Sequence, residues 1–183
     1  MVMKLALVLT ALALADLPDL QAMLEERRAA QDVPGASAVV VSGDQVLFAG
    51  GSGVADIETG RVMTPDTPVY IGSVSKVLTA VLVLRLVQDG QLDLDGTVDF
   101  VVPEAPVPVR VSHLLAHSSG LEREGDFGYW YTATFPDNGA LAHYLARTTL
   151  RFKPGSELHY SNVGYAALGL LVEHALGMRY GDA

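Results

Sequence analysis

The sequence predicts an α/β (α+β) fold, an antiparallel strand pair near the N-terminus followed by a succession of helices. Three observations carry that expectation. Two Val- and Ala-rich runs, Ala36 to Val41 and Gln45 to Val54, flank Ser42-Gly43-Asp44, the pattern of a tight hairpin. Apolar stretches free of turn residues occupy Val74 to Val87 and Val163 to Leu176, long for strands and ordinary for helices. Half of the 183 residues are hydrophobic and only 18% are charged, a composition that supports one domain with a real core.

Taken in order, Met1 to Ala15 carries Lys4, an apolar run from Leu5 to Leu12, and Ala13-Leu14-Ala15 before Asp16. That order is expected of a secretory signal with a small-residue cleavage site, and the run is too short to span a bilayer. Residues 1–15 are therefore read as a signal peptide, 16–183 as the folded portion described below, and the location as periplasmic or secreted, without stable membrane insertion. Leu20, Met23 and Leu24 recur among charges at helical spacing, predicting an amphipathic helix to about Ala30 that Pro34-Gly35 closes off. After the hairpin, Glu58-Thr59-Gly60-Arg61 and Pro65-Asp66-Thr67-Pro68 read as turn and loop.

Val74 to Val87 is rich in β-branched residues, but its length favours a helix, and apolar positions almost all round it predict a buried central one ended by Gly90. Ser112 and Gly120 bracket a short helix, and residues 125–138 form an aromatic loop holding Phe127, Tyr129, Trp130, Tyr131 and Phe135, whose Tyr129-Trp130-Tyr131 cluster lies either at a cleft edge or in a satellite core. Asn138 is the candidate cap of a helix through Arg147, and Gly177 ends the last one.

The chemistry starts at Ser73 and Lys76. Three residues apart on a helix, they lie on one face, where an amine can reach a hydroxyl. A serine is a weak nucleophile until a neighbouring base takes its proton, and a lysine serving as that base needs burial or neighbouring charge. The spacing is the S-x-x-K pattern of β-lactamases and penicillin-binding proteins; taken alone it is common, and Ser73 as a helix cap is the plainer alternative. A helix start at Ser73 would also aim backbone N–H groups at a developing oxyanion.

Other chemistries are poorly supplied. A net charge of −9 without clustered Lys or Arg argues against a nucleic-acid partner. There is no cysteine, which excludes thiolate chemistry and disulfides. His113 and His117 stand at metal-pair spacing, yet Leu114 occupies the place where a zinc protease needs glutamate and no third ligand is evident. No cofactor or metal is expected.

Gly72-Ser73-Val74-Ser75-Lys76, then His113-Leu114-Leu115-Ala116-His117-Ser118-Ser119-Gly120-Leu121, then Pro154-Gly155 leading into Tyr160-Ser161-Asn162-Val163-Gly164-Tyr165 together resemble the serine β-lactamase-related family, which includes class C β-lactamases, D,D-peptidases and esterases. The resemblance implies a β-lactamase/transpeptidase-like fold, an antiparallel sheet packed with helices. It implies a serine hydrolase working through an acyl-enzyme on a small-molecule or peptide substrate: a β-lactam, a D-alanyl peptide or an ester. By the same resemblance Ser73 is the nucleophile, Lys76 its activating partner, Tyr160 the phenol that shuttles a proton to the leaving group, and Asn162 the amide that orients Lys76 and substrate. The family's third motif, Lys or His, a small residue, then Gly on a later strand, has no match in residues 163–183. The expectation is an N-terminal portion of a longer hydrolase; the alternative is a degenerate member that at most binds.

Overall fold

The computed structural model describes residues 19–132 and 134–183, so the signal-peptide reading of 1–15 lies outside the described residues. The chain divides into two compact units, one ending at Tyr70 and one spanning Ile71–Ala183. No helix among the described residues is long and apolar enough to cross a membrane.

In the first unit, Asp19 caps helix α1 (Leu20–Ala30) by accepting the Ala22 N–H at 3.0 Å, which satisfies one of the donors a helix start leaves open. Strands β1 (Gly35–Ser42) and β2 (Gln45–Gly53) pair antiparallel, with Ser42 opposite Gln45. Gly43 and Asp44 therefore make the turn, Gly43 with a φ of 54° that glycine adopts without penalty. Between the pairs Val40/Phe48 and Val41/Val46 the register shifts by one residue, as a β-bulge requires. Helix α1 reaches the sheet through polar side chains: Gln21 Nε2 donates to the Gly51 carbonyl at 3.0 Å, and Arg28 Nε to Ser52 Oγ at 3.0 Å.

The second unit holds the main core. A 3₁₀ turn (Gly72–Val74) runs directly into α2 (Ser75–Gln88). The helix is as long as expected, but it is not buried all round. Only Thr79, Val83 and Leu86 are buried, a single stripe at i, i+4, i+7, while Val77, Leu78 and Val81 are each about 60% exposed. Apolar content marked the helix correctly; which faces meet a neighbour depends on partners that composition does not encode. Gly90, with φ 72°, follows the last turn.

The loop from Gln91 returns by backbone bonds, Val98 N–H to Val109 O and Ser112 N–H to Leu94 O. It enters α3 (Val111–Leu115), which ends well before Gly120 because the chain turns at His117, φ 54°. Next come a single turn, α4 (Tyr129–Thr132), and then α5 (Asn138–Arg147). The α5 cap is Asp137, not Asn138: its carboxylate accepts from Ala140 N–H at 2.7 Å. Helix α6 (Asn162–Leu176) is capped by Ser161 and closed by Gly177 in the left-handed region. It buries Val163, Ala167, Leu168 and Val172 in one cluster with Leu114, Leu121, Leu145 and Val83. This packed block fixes the start of α6 against α2 and α3, and the candidate site lies at those helix starts.

Candidate active site

Four side chains singled out from sequence converge. Tyr160 OH donates to Ser73 Oγ at 2.8 Å across 87 residues of sequence. Lys76 Nζ reaches Ser73 Oγ at 3.5 Å, a long contact, and donates to Asn162 Oδ1 at 2.6 Å. The short helical spacing accounts for the first Lys76 contact; the cap of α6 accounts for the others. Ser161, buried, donates its hydroxyl to the Glu122 carbonyl at 2.7 Å and accepts from Gly164 N–H at 2.8 Å. Its backbone N–H donates to His117 Nδ1 at 3.1 Å. Tyr160 and Asn162 are thus held from the residue between them.

The electrostatics favour a reactive phenol. Hydrogen bonds with Lys76 and Ser73 hold the Tyr160 phenol below its ordinary value against the opposing cost of burial, with the charges of Lys76 and Arg123 adding less. Lys76 Nζ also lies 4.9 Å from the centre of the Tyr160 ring and Arg123 5.3 Å, near enough for cation–π attraction. The His117 ring stacks at a tilt between Tyr160, at 4.4 Å, and Tyr165, at 4.9 Å. Burial first, and then Lys76, keep the His117 imidazole below its usual range, consistent with a neutral ring whose Nδ1 accepts the Ser161 N–H. His113 Nδ1 likewise accepts the Arg110 N–H at 3.2 Å, so the Nδ1 of each histidine of the apparent metal pair accepts from a backbone N–H. Among the described residues no group of three His, Asp or Glu side chains is arranged to hold a metal.

Two expectations change. Helix α2 begins at Ser75, and the N–H groups of Val74 and Ser75 are already bonded to the carbonyls of Ile71 and Gly72. They are spent within the 3₁₀ turn, which the tighter i to i+3 pattern dictates, so the expectation of an oxyanion donor narrows to the N–H of Ser73 itself. The aromatic loop belongs at the cleft: Phe127, Tyr129 and Phe135 line an open cavity of about 340 Å³ together with Ser73, Lys76, Glu124 and Asn162.

Glu124 is the residue that sequence reading missed. Both oxygens of its carboxylate accept from Asn162 Nδ2, at 2.8 and 2.9 Å, and the carboxylate also accepts from Arg123 Nε at 3.0 Å and from the Tyr129 hydroxyl. Burial, then the hydrogen bond to Glu124, push the Tyr129 phenol upward, so it stays a donor. The available signal was weak: an acidic residue four positions after Gly120, inside the charged run Glu122-Arg123-Glu124.

The family model described as Beta-lactamase matches residues 20–183. Penicillin-binding protein 4 of Amycolatopsis lactamdurans is 36% identical over 174 residues, covering 89% of this chain and 44% of the relative. Esterase EstB of Burkholderia gladioli is 35% identical over 179 residues, covering 84% and 43%. Among solved structures, a D-amino acid amidase from Ochrobactrum anthropi SV3, complexed with L-phenylalanine, superposes with a TM-score of 0.73 at 29% identity, covering 88% of this chain and 45% of that one. The chain thus spans less than half the length of these proteins.

Proposed function

The chain belongs to the beta-lactamase family, and from that premise we propose that it carries the nucleophile, base and orienting amide of a serine hydrolase that acylates Ser73 with a β-lactam, a D-alanyl peptide or an ester. The observation that carries the proposal is the short contact between Tyr160 OH and Ser73 Oγ beside Lys76. The same contact that holds the resting hydroxyls together transfers the proton: Tyr160, as phenolate, takes it from Ser73 while Oγ attacks the substrate carbonyl carbon. The C–N or C–O bond to the leaving group then breaks, and Tyr160 returns the proton to the departing nitrogen or oxygen. A water attacks the ester on Ser73 by the same route, releasing the acid and restoring the hydroxyl. Lys76 stabilises the phenolate throughout, and Asn162 holds Lys76 in place.

The two relatives, a penicillin-binding protein and an esterase, support an acyl substrate without choosing among the three. The apolar wall of the cleft, including Phe127, Phe135 and Leu141, favours acyl groups with an apolar side chain. Export to the periplasm or medium is proposed from residues 1–15 alone, and N-terminal sequencing of the secreted protein checks cleavage after Ala15.

Incubation of the full-length protein with a fluorescent penicillin or an activated ester is expected to leave an adduct on Ser73, located by peptide mass spectrometry and lost in Ser73→Ala. A wild-type protein that forms no Ser73 adduct with any of these acyl donors overturns the proposal. Tyr160→Phe is expected to slow acylation by about a hundredfold or more. The lowered phenol sets the sign of the pH dependence: the reactive form appears as pH rises, so the wild-type rate climbs through an ionisation below the ordinary tyrosine range. Tyr160→Phe lacks that rise.

A further inference from the structure

Asn162 has two chemically different faces, and its chemistry requires one orientation. With Oδ1 toward Lys76 Nζ, the amide accepts from the ammonium; turned over, it would aim N–H groups at a donor. What fixes the choice is whatever stands on the other side. There the Glu124 carboxylate takes the Asn162 Nδ2 at 2.8 and 2.9 Å, and a carboxylate accepts but does not donate. The two ends of the amide therefore bind an anion and a cation, Glu124 on one side and Lys76 on the other, an arrangement in which each hydrogen bond polarises and strengthens the next.

We infer that Glu124 is the positioning residue of this site: it sets the orientation of the Asn162 amide, and through it the place of Lys76 beside Ser73. The inference rests on the acyl-transfer reading above and extends it. Glu124 lines the cleft, which invites a direct role toward substrate, but its acceptor positions already serve Asn162, Arg123 and Tyr129. Its part is exerted through Asn162. The Tyr129 hydroxyl, which stays protonated because burial and Glu124 raise it, ties the aromatic loop to the same carboxylate. Glu124→Gln replaces one oxygen with a donor that faces the N–H or O–H groups of Arg123 or Tyr129, so the fork to Asn162 is lost.

The test uses the full-length protein and the variants Glu124→Gln, Asn162→Ala and the pair combined, with thermal melts to confirm folding. Glu124→Gln is expected to lower the acylation rate constant about thirtyfold, the scale of one charge-assisted hydrogen bond, with the encounter dissociation constant changed by less than about twofold. Because Glu124 acts through Asn162, the double variant is expected to match Asn162→Ala within about twofold. Losses that multiply overturn the inference, as does a Glu124→Gln rate equal to wild type. A second readout needs no turnover: in protein labelled with ¹⁵N-asparagine, the side-chain amide signal that disappears in Asn162→Asp is expected to exchange slowly in wild type and fast in Glu124→Gln. An amide signal unchanged by Glu124→Gln overturns the inference. If wild type forms no Ser73 adduct, the acyl-transfer reading falls, and the amide signal still decides the place of Glu124.

Discussion

The hairpin unit and the helical unit are held together in different ways. In the hairpin, Val39, Val41 and Val46 are each about 60% exposed, and Met63 is the one strongly buried large side chain among the described residues of that unit. Backbone segments approach closely there. A Cβ on Gly51 would stand 2.4 Å from the Met63 carbonyl oxygen, and one on Gly35 would stand 2.1 Å from that of Val54. The helical unit instead buries Leu114, Leu121, Leu145 and Leu168 completely. Every residue placed in the candidate site belongs to this second unit. Catalytic geometry needs side chains held to fractions of an ångström, and a close-packed interior holds them so.

The sharpest way to test this contrast is to remove a buried side chain beside the site. Leu114→Ala leaves a cavity beneath α3 and against the first turn of α6, and is expected to cost about 3 kcal/mol in urea unfolding of the full-length protein. A loss under about 1 kcal/mol would mean the block is loosely packed. Next in size is Gly51→Ala, expected to cost about 2 kcal/mol, because the added methyl meets backbone that cannot rotate away. A neutral result would show that the hairpin is not built by close approach. The smallest effect is expected at Val41→Thr, within about 0.5 kcal/mol in the same measurement, since the side chain is exposed and the replacement keeps a β-branched residue in the strand.

What was legible in the sequence follows the same division. Local signals sufficed where one residue type dictates one geometry: the Gly43-Asp44 turn, the glycine after α6, and the helical spacing that brings Ser73 and Lys76 together. Tyr160 and Asn162 were found only through resemblance, because nothing local connects them with residues almost ninety positions earlier. The apolar run of α2 promised burial on every side and delivers it along one stripe, since Val77 and Val83 are the same residue type and differ only in what lies beside them. That Ser73 sits in a 3₁₀ turn and not in the helix proper is a matter of one or two residues, beyond pattern reading. Glu124 carried only a weak signal, because a glutamate in a charged run looks like surface until Asn162 and Tyr129 fold onto it.

Ser161 shows how such a site can mislead an activity screen. It makes no contact with the attacking oxygen, yet its hydroxyl and N–H tie down the peptide segment that presents both neighbours, through Glu122, Gly164 and His117. A library scored on turnover alone would rank position 161 beside the nucleophile, and a designer transplanting only the reacting groups into another scaffold would leave behind the clamp that makes them a set.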